Sequence, residues 1–149
     1  MVFVFALLLG VVAGLRAMTP LAAISIAAYL GWLDYTGTPV AFIGHIVAVI
    51  ILVLVAIGEM VTDQLPNTPS RKVPMQFGAR IVLGAIAGAL LPGSWIVGAI
   101  LGAIGAVIGT LVGAEVRARL AKALGRDLPA GLIEDVVAVV GALLIVYLV

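Results

Sequence analysis

Acidic side chains stand at helical spacing inside a chain that is otherwise almost entirely apolar. Glu59 and Asp63 are four residues apart, so on a helix their carboxylates share one face. Two carboxylates placed in this way could hold a divalent cation such as Mg²⁺ together with water, or a cation in transit. Glu134 and Asp135 are adjacent and point about 100° apart on a helix, so we expect only Asp135 to face a shared site.

Basic residues stand where they could neutralise these acids if the ends of several helices meet. Arg16 follows the first apolar run, and Arg80 lies six residues after Pro74. A charge near the membrane interior costs several kcal/mol unless it is paired or hydrated. The alternative is that each charge lies separately in the headgroup zone. We expect one substrate- or ion-binding cluster, whose members are Arg16, Glu59, Asp63, Arg80, Glu115, Glu134 and Asp135.

Two further segments carry polar side chains. The stretch "LPNTPSRKVP" contains Arg71 and Lys72, which with Thr68 and Ser70 could form an anion-binding turn for a phosphate or lipid headgroup. The alternative is a cytoplasmic loop that lies beside anionic lipid. His45, in the outer half of the third apolar run, could relay protons or form a hydrogen bond between helices.

The composition identifies the solvent that surrounds these residues. Of the 149 residues, 64% are hydrophobic and 10% are charged, and the mean hydropathy is +1.35. Soluble domains carry about 25% charged residues, so most of this chain must face lipid. The net charge of +1 carries no information about nucleic acid, but basic and aromatic residues are not interleaved, so we expect no nucleic-acid partner. The absence of cysteine excludes disulfides and thiolate metal sites.

Six apolar runs must position the charged residues, which predicts an all-α integral membrane protein with about six transmembrane helices. A full span needs about 20 residues, and the first and fourth runs are short for that. The first run lacks the basic start of a signal peptide, so we interpret it as a membrane helix. The runs are Val2 to Leu15, Ala17 to Leu33, Val40 to Glu59, Phe77 to Leu91, Trp95 to Ala114, and Gly131 to Val149.

The basic residues predict the orientation of these helices. If the N-terminus lies outside, all eight lysines and arginines fall at or near the inner side, as the positive-inside rule requires. We therefore expect a multi-pass protein of the inner (cytoplasmic) membrane with both termini extracytoplasmic. The eight residues are Arg16, Arg71, Lys72, Arg80, Arg117, Arg119, Lys122 and Arg126.

We interpret residues 1–149 as a single polytopic membrane domain with a weak internal repeat. Residues 40–92 and 95–149 each contain a helix ending in glutamate, a basic loop, a proline and a returning helix with a charge near its start. Glu59 aligns with Glu115, and Arg80 aligns with Asp135. Residues 2–33 could be a reduced third copy without the long loop. The copies insert in the same direction, which predicts parallel helical hairpins.

Glycines at four-residue spacing predict tight helix packing. Small residues at such spacing allow two helix backbones to approach closely. We expect the fifth helix to be central, crossed by the fourth helix or by a second copy of the chain, and we expect a homodimer because six thin helices enclose little volume. The stretch "EVRARLAKALGRDLP", which follows the fifth apolar run, either continues the fifth helix past the membrane or lies along the surface, with Gly125 as C-cap. The packing glycines are Gly84, Gly88, Gly98, Gly102, Gly109 and Gly113.

The motifs "GLRAMTPLAAIS", "GEMVTDQLPNTPSR" and "GAEVRARLAKALGRDLPAGLIEDVVA" resemble those of a bacterial membrane family catalogued as domain of unknown function 4126. The resemblance covers nearly the whole chain and implies a small polytopic membrane protein without a known activity. The charged and proline residues that carry the resemblance are Arg16, Glu59, Asp63, Pro66, Arg71, Glu115, Arg119, Asp127, Glu134 and Asp135.

Three functions are compatible with these residues. The first is a transporter or channel whose small solute or ion passes the charged cluster. The second is a Mg²⁺-dependent enzyme acting on a lipid phosphate, with Glu59 and Asp63 on the metal and Arg71, Lys72 and Arg80 on the phosphate. The third is a scaffold subunit without a site. An enzyme is the less favoured reading, because the one histidine lies on the opposite side from the carboxylates.

Overall fold

The computed structural model describes residues 1–65 and 73–149, which form six α-helices, one 3₁₀ turn and no strand. The predicted all-α class is confirmed. The six helices follow the six apolar runs in order. They are α1 (Val2–Leu15), α2 (Thr19–Tyr29), α3 (Ile46–Asp63), α4 (Pro74–Leu90), α5 (Trp95–Leu124) and α6 (Asp127–Leu148), and the 3₁₀ turn is Ala41–Gly44.

Several helix boundaries differ from those of the expected runs. The helix α3 begins at Ile46 rather than at Val40, because the preceding residues form the 3₁₀ turn. The helix α5 continues for 30 residues, so the cytoplasmic extension is part of it and not a separate surface helix. Gly125 ends α5 with a φ of 77°, which agrees with its expected role as C-cap.

Proline marks the start of each returning helix. Pro74 is the first residue of α4, and Pro20 is the second residue of α2. Pro129 is the third residue of α6. The first turn of a helix has no intrahelical acceptor for its N–H groups, so a residue without an N–H costs little there. These prolines therefore fix where the chain turns back.

Successive helices run in opposite directions between two chemically different ends of the bundle. The start of α1 lies beside the α4–α5 turn, where the Phe3 ring borders Gly93. The rings of Trp32 and Tyr147 stand 5.1 Å apart, so the loop after α2 meets the end of α6. Tryptophan and tyrosine concentrate at this end of the bundle, which we call the aromatic end: Tyr29, Trp32, Tyr35, Trp95 and Tyr147.

The first two helices are too short to match the others. At 1.5 Å per residue, the 14 residues of α1 and the 11 of α2 extend about 21 and 17 Å. The bilayer hydrocarbon is about 30 Å thick, and three helices, α3, α5 and α6, are long and apolar enough to cross it. The α1–α2 hairpin starts at the aromatic end, so its turn lies within the length of α5 and α6.

Glycines of α5 contact two neighbouring helices at once. A Cβ atom on Gly102 would collide with the carbonyl oxygen of Gly84 in α4, and one on Gly10 of α1 would collide with the carbonyl of Gly102. Gly88 and Gly98 exclude side chains in the same reciprocal way. The backbone of α5 therefore contacts the backbones of both α1 and α4, an arrangement that we call the glycine wedge. Between apolar helices in lipid there is no hydrophobic driving force, and close packing of this kind holds them together instead.

The contact with α4 was expected, and the contact with α1 was not. Gly14 of α1 approaches the backbone of Ala106 and Thr110, and Gly109 approaches the backbone of Val11. Gly10 and Gly14 are themselves four residues apart, so the same spacing rule applied to α1 would have identified this second interface. Gly113 is buried and lines a cavity between α1, α5 and α6.

Two side-chain hydrogen bonds fasten the segment between α2 and α3 to the bundle. The buried hydroxyl of Ser25 in α2 donates to the carbonyl of Ile43 in the 3₁₀ turn. The phenol of Tyr35 donates to the carbonyl of Leu90, the last residue of α4, at 2.6 Å. These bonds satisfy carbonyls that no helix uses.

The glycine wedge predicts a position-specific cost of adding a methyl group. We expect Gly102→Ala to lower the free energy of unfolding by about 1–3 kcal/mol, because the added Cβ overlaps fixed backbone atoms. The matched control is Gly58→Ala in α3, whose Cβ would meet nothing within 4 Å. We expect this control to be neutral or stabilising by about 0.5–1 kcal/mol. Unfolding in detergent micelles, followed by circular dichroism, measures both, and equal effects would contradict the wedge.

We expect the phenol of Tyr35 to titrate above the usual range of tyrosine. Burial raises the pKa of Tyr35 from the ordinary 10.0 to about 12. The stabilisation from its neutral phenol is therefore complete below pH of about 10 and is lost as the pH rises through about 12. The difference in phenolate absorbance between the parent and Tyr35→Phe isolates this group. A midpoint near 10 would contradict its burial.

Candidate functional site

The turn of the α1–α2 hairpin holds an arginine that is completely buried. Arg16 leaves the helix with an extended backbone at φ −142°, and its side chain is 0% exposed. Its guanidinium forms ion pairs with Asp63 at the end of α3 and with Asp135 in α6. Glu134 of α6 adds a third carboxylate, 3.4 Å from Nη1. Arginine stays ionised in proteins, so these acids balance a permanent buried charge.

A second guanidinium shares two of these carboxylates. Nη1 of Arg117 in α5 lies 3.5 Å from Oδ2 of Asp63 and 3.6 Å from Oε1 of Glu134. Its Nε and Nη2 donate to the carboxylate of Asp127 at 3.1 and 2.8 Å. Asp127 is 61% exposed, so the ion pairs lead from solvent at the start of α6 to the buried Arg16.

The carboxylate of Glu59 binds the backbone of the hairpin turn. The two carboxylate oxygens accept hydrogen bonds from the N–H groups of Ala17 and Met18 at 2.7 and 2.8 Å. These groups precede α2, so the carboxylate also lies at the positive end of the helix dipole. Arg80 of α4 completes the arrangement, with Nη2 3.7 Å from Glu59 Oε1 and Nη1 donating to the carbonyl of Gly14 at 2.8 Å.

Gln64, the residue that follows α3, forms side-chain hydrogen bonds with residues of α6 and α5. Its amide nitrogen donates to Oδ2 of Asp135 at 3.2 Å, and its amide oxygen accepts from Arg117 at 3.4 Å. A Cβ on Gly131 would collide with this amide, so glycine at that position of α6 makes room for it. We call the whole set the Arg16 network: Arg16, Glu59, Asp63, Gln64, Arg80, Arg117, Asp127, Glu134 and Asp135.

Six of the residues expected in a shared cluster lie in this network, and one does not. Glu134 and Asp135 both reach Arg16, whereas only the latter was expected to face it. Glu115 is 59% exposed and pairs along its own helix with Arg119 at 2.9 Å. The six residues that meet are Arg16, Glu59, Asp63, Arg80, Glu134 and Asp135.

Sequence reasoning missed Arg117 and Gln64 as members of the network. On α5, Arg117 follows Glu115 by two residues, so the two side chains point about 160° apart and only one can face α6. Nothing in the spacing of the charges alone decides which one does. Arg71 and Lys72, the expected phosphate or headgroup ligands, lie outside the described residues.

The carboxylates that could have shared a metal have separate partners. Glu59 accepts from the hairpin backbone, while Asp63 pairs with Arg16 and Arg117. Within residues 1–65 and 73–149, no group of three or more histidine, aspartate or glutamate side chains is arranged to hold a metal ion.

His45 lies at the aromatic end and caps a helix. Its Nδ1 accepts a hydrogen bond from the backbone N–H of Val47 at 3.1 Å, which makes it the N-cap of α3. It is exposed and stands outside the helical span in which the sequence placed it. This position separates it from the Arg16 network by the length of α3, 18 residues or about 27 Å.

The network predicts that removing its central cation is costly. We expect Arg16→Met to lower the free energy of unfolding by about 3–5 kcal/mol, because several carboxylates lose their buried partner. The control is Arg119→Met, which breaks an exposed pair worth about 0.2–1 kcal/mol. We expect the double variant Arg16→Met/Asp135→Asn to be more stable than Arg16→Met alone. Unfolding in micelles measures all three, and equal costs for Arg16 and Arg119 would contradict the network.

Comparisons with other proteins place the chain in a family. No curated protein and no solved structure matches it. One family model, described as a domain of unknown function (DUF4126), matches residues 3–148. The resemblance inferred from the charged motifs is thereby confirmed over nearly the whole chain. With apolar helices and a matching model from end to end, the chain belongs to the DUF4126 family.

Proposed function

We propose that this protein is a small membrane transporter or channel whose translocation step runs through the Arg16 network. The observation that carries the proposal is Arg16 itself, a fully buried guanidinium with carboxylate partners from two other helices. Charged side chains within a membrane are expensive; they pair with one another and mark ion pathways and proton relays.

The short hairpin supports this proposal through its depth. If the aromatic end lies at one membrane interface, a hairpin of about 21 Å stops inside a hydrocarbon layer of about 30 Å. Non-helical backbone at that depth is tolerated where it is buried in protein or lines a cavity, and broken helices form the ion sites of many transporters. The backbone of Ala17 and Met18 is such a segment, and Glu59 binds it.

The residue types of the network favour a proton or a small cation as the solute. Carboxylates accept and release protons or bind cations, whereas guanidinium groups keep their charge. Asp63 and Glu134 each stand within reach of both Arg16 and Arg117. A proton or cation on one of these acids would weaken its attraction to both arginines, and the other acid would remain as their shared partner. Such an exchange gives the network two arrangements with similar contacts.

The distribution of basic and aromatic residues supports one orientation. We place the Arg16 network on the cytoplasmic side of an inner membrane and the two termini outside. Arg117, Arg119 and Lys122 extend α5 beyond the hairpin turn on that side, as the positive-inside rule requires. The aromatic end then lies at the outer interface, where tryptophan and tyrosine are enriched.

A scaffold subunit is the second candidate. The helix α3 buries only Ala56 against the described part of the chain, so it offers a long apolar face to lipid or to another subunit. The homodimer expected from the small size stays a prediction. The Mg²⁺-dependent enzyme is not favoured, because Glu59 and Asp63 bind different partners.

Flux through liposomes tests transport directly. The purified full-length protein, reconstituted with trapped pyranine for protons or a trapped sodium-sensitive dye, is exposed to a pH or sodium gradient. We expect flux of one of these ions above protein-free vesicles, and we expect Asp63→Asn and Glu59→Gln to reduce it at least tenfold. A loss of about 1.4 kcal/mol in favourable interaction suffices for that factor.

The matched control is Glu115→Gln, which neutralises an exposed acid outside the network. We expect it to retain the parent flux. Size-exclusion profiles of all variants show whether they stay folded. If the folded parent moves neither protons nor sodium, or if Glu115→Gln and Asp63→Asn behave alike, the transport proposal is overturned and the scaffold is favoured.

A further inference from the structure

Two cavities of opposite character meet at the aromatic end. One is an apolar groove of about 560 Å³ between α2, α3 and α4, lined by residues such as Ala48, Leu52 and Ile86. The other is a cavity of about 690 Å³ under the loop between α2 and the 3₁₀ turn, lined partly by polar groups. Phe42 and His45 line both. The two spaces therefore adjoin. Together they offer an apolar part beside a partly polar part, as an amphiphilic ligand requires.

The groove has the depth of part of one leaflet. Along α3 it extends from His45 to Leu52, seven residues or about 10 Å from the helix start. One leaflet of the bilayer hydrocarbon is about 15 Å thick. The groove is therefore long enough for the part of one acyl chain that lies nearest the headgroup. The hydrogen bond from Ser25 to the carbonyl of Ile43 holds the 3₁₀ turn against α2 and keeps the groove and the polar cavity side by side.

Among the described residues, the lining of the polar cavity includes the acid Asp34 and the imidazole of His45. Hydrogen bonds from the side chain of Thr36 and from its N–H, the latter at 2.9 Å, hold the pKa of the Asp34 carboxyl below its usual range. Nδ1 of His45 is occupied as an acceptor from Val47, which assigns the proton of the neutral imidazole to Nε2. No lysine or arginine is among the described residues that line either cavity.

We propose that the groove and the polar cavity bind one phospholipid with a primary-amine headgroup, a phosphatidylethanolamine, from the surrounding bilayer. The acyl chain lies along α3 between Ala48 and Leu52. The lipid ammonium donates to the Asp34 carboxylate, and Nε2–H of His45 donates to the lipid phosphate. The rings of Tyr35 and Phe42, which border the polar cavity, add a face for the ammonium.

Charge complementarity decides between this lipid and others. An anionic headgroup would meet the carboxylate of Asp34 without a cation to offset it in the described lining. A choline headgroup carries the positive charge but has no N–H to donate, so it loses the charge-assisted hydrogen bond. The position at the aromatic end fits a headgroup as well, because tryptophan and tyrosine belts mark that depth. The proposal does not depend on the Arg16 network and stands or falls separately from transport.

Native mass spectrometry tests the proposal on the full chain. The protein is reconstituted in nanodiscs of equal parts phosphatidylethanolamine, phosphatidylcholine and phosphatidylglycerol, transferred to detergent and analysed for retained lipid. We expect one tightly held lipid per chain, with phosphatidylethanolamine preferred about tenfold over each of the others, since one charge-assisted hydrogen bond supports that factor.

Three variants assign the binding to this place. Ala48→Phe fills the groove, and we expect it to lose the retained lipid. Leu54→Phe makes the same type of change on the exposed face of α3 outside the groove, and we expect it to behave as the parent. Asp34→Asn removes the charge, and we expect it to retain lipid with the preference for ethanolamine lost.

Several results would overturn the assignment. They are no retained lipid in the parent, equal retention in Ala48→Phe and the parent, or a preference for phosphatidylglycerol. Dimers that disappear in Ala48→Phe but not in Leu54→Phe would assign the groove to a second copy of the chain instead. Thermal unfolding with each lipid added separately provides a second readout, in which only phosphatidylethanolamine raises the midpoint of the parent.

Discussion

The structure depends on one guanidinium that keeps its charge where water does not reach it. Arg16 cannot release its proton, so the surrounding helices must supply negative charge at that depth. Asp63 supplies it from α3, and Glu134 and Asp135 supply it from α6. The same pairs that neutralise Arg16 therefore fix three separate hairpins relative to one another. Breaking any one of these pairs leaves a buried charge without its partner, which is costly.

Glycine determines where this charge can lie. Gly10 and Gly14 bring α1 to backbone contact with α5, and that contact sets the level of the hairpin turn along the longer helix. Gly14 meets the backbone near Thr110, about two turns before Arg117. A bulkier residue in the wedge would move the turn away from the acids of α6. Packing and electrostatics are thus coupled, since the ion pairs form only at the helix separation that glycine permits.

Much of this arrangement could be predicted from the sequence, and the rest shows what low-complexity sequence hides. Helix order, the turning points at proline and the end of α5 at Gly125 depend on local rules, and they are as expected. The meeting of Arg16 with acids followed from the cost of isolated charge. The partner of α1 and the outward position of Glu115 did not follow, because apolar runs of alanine, valine and glycine do not fix the rotation of a helix about its axis.

The hairpin turn explains why charges of both signs gather at one place. A turn between two helices leaves carbonyls without donors at the end of α1 and N–H groups without acceptors at the start of α2. Where such groups are buried away from water, other parts of the protein must satisfy them. Arg80 donates to the carbonyl of Gly14, and Glu59 accepts from the N–H groups that follow Arg16. Each side chain also has the sign that the nearby helix dipole favours. Glu59 of α3 and Arg80 of α4 therefore replace the solvent that an exposed turn would bind, and the acids of α6 balance the arginine that the same turn carries.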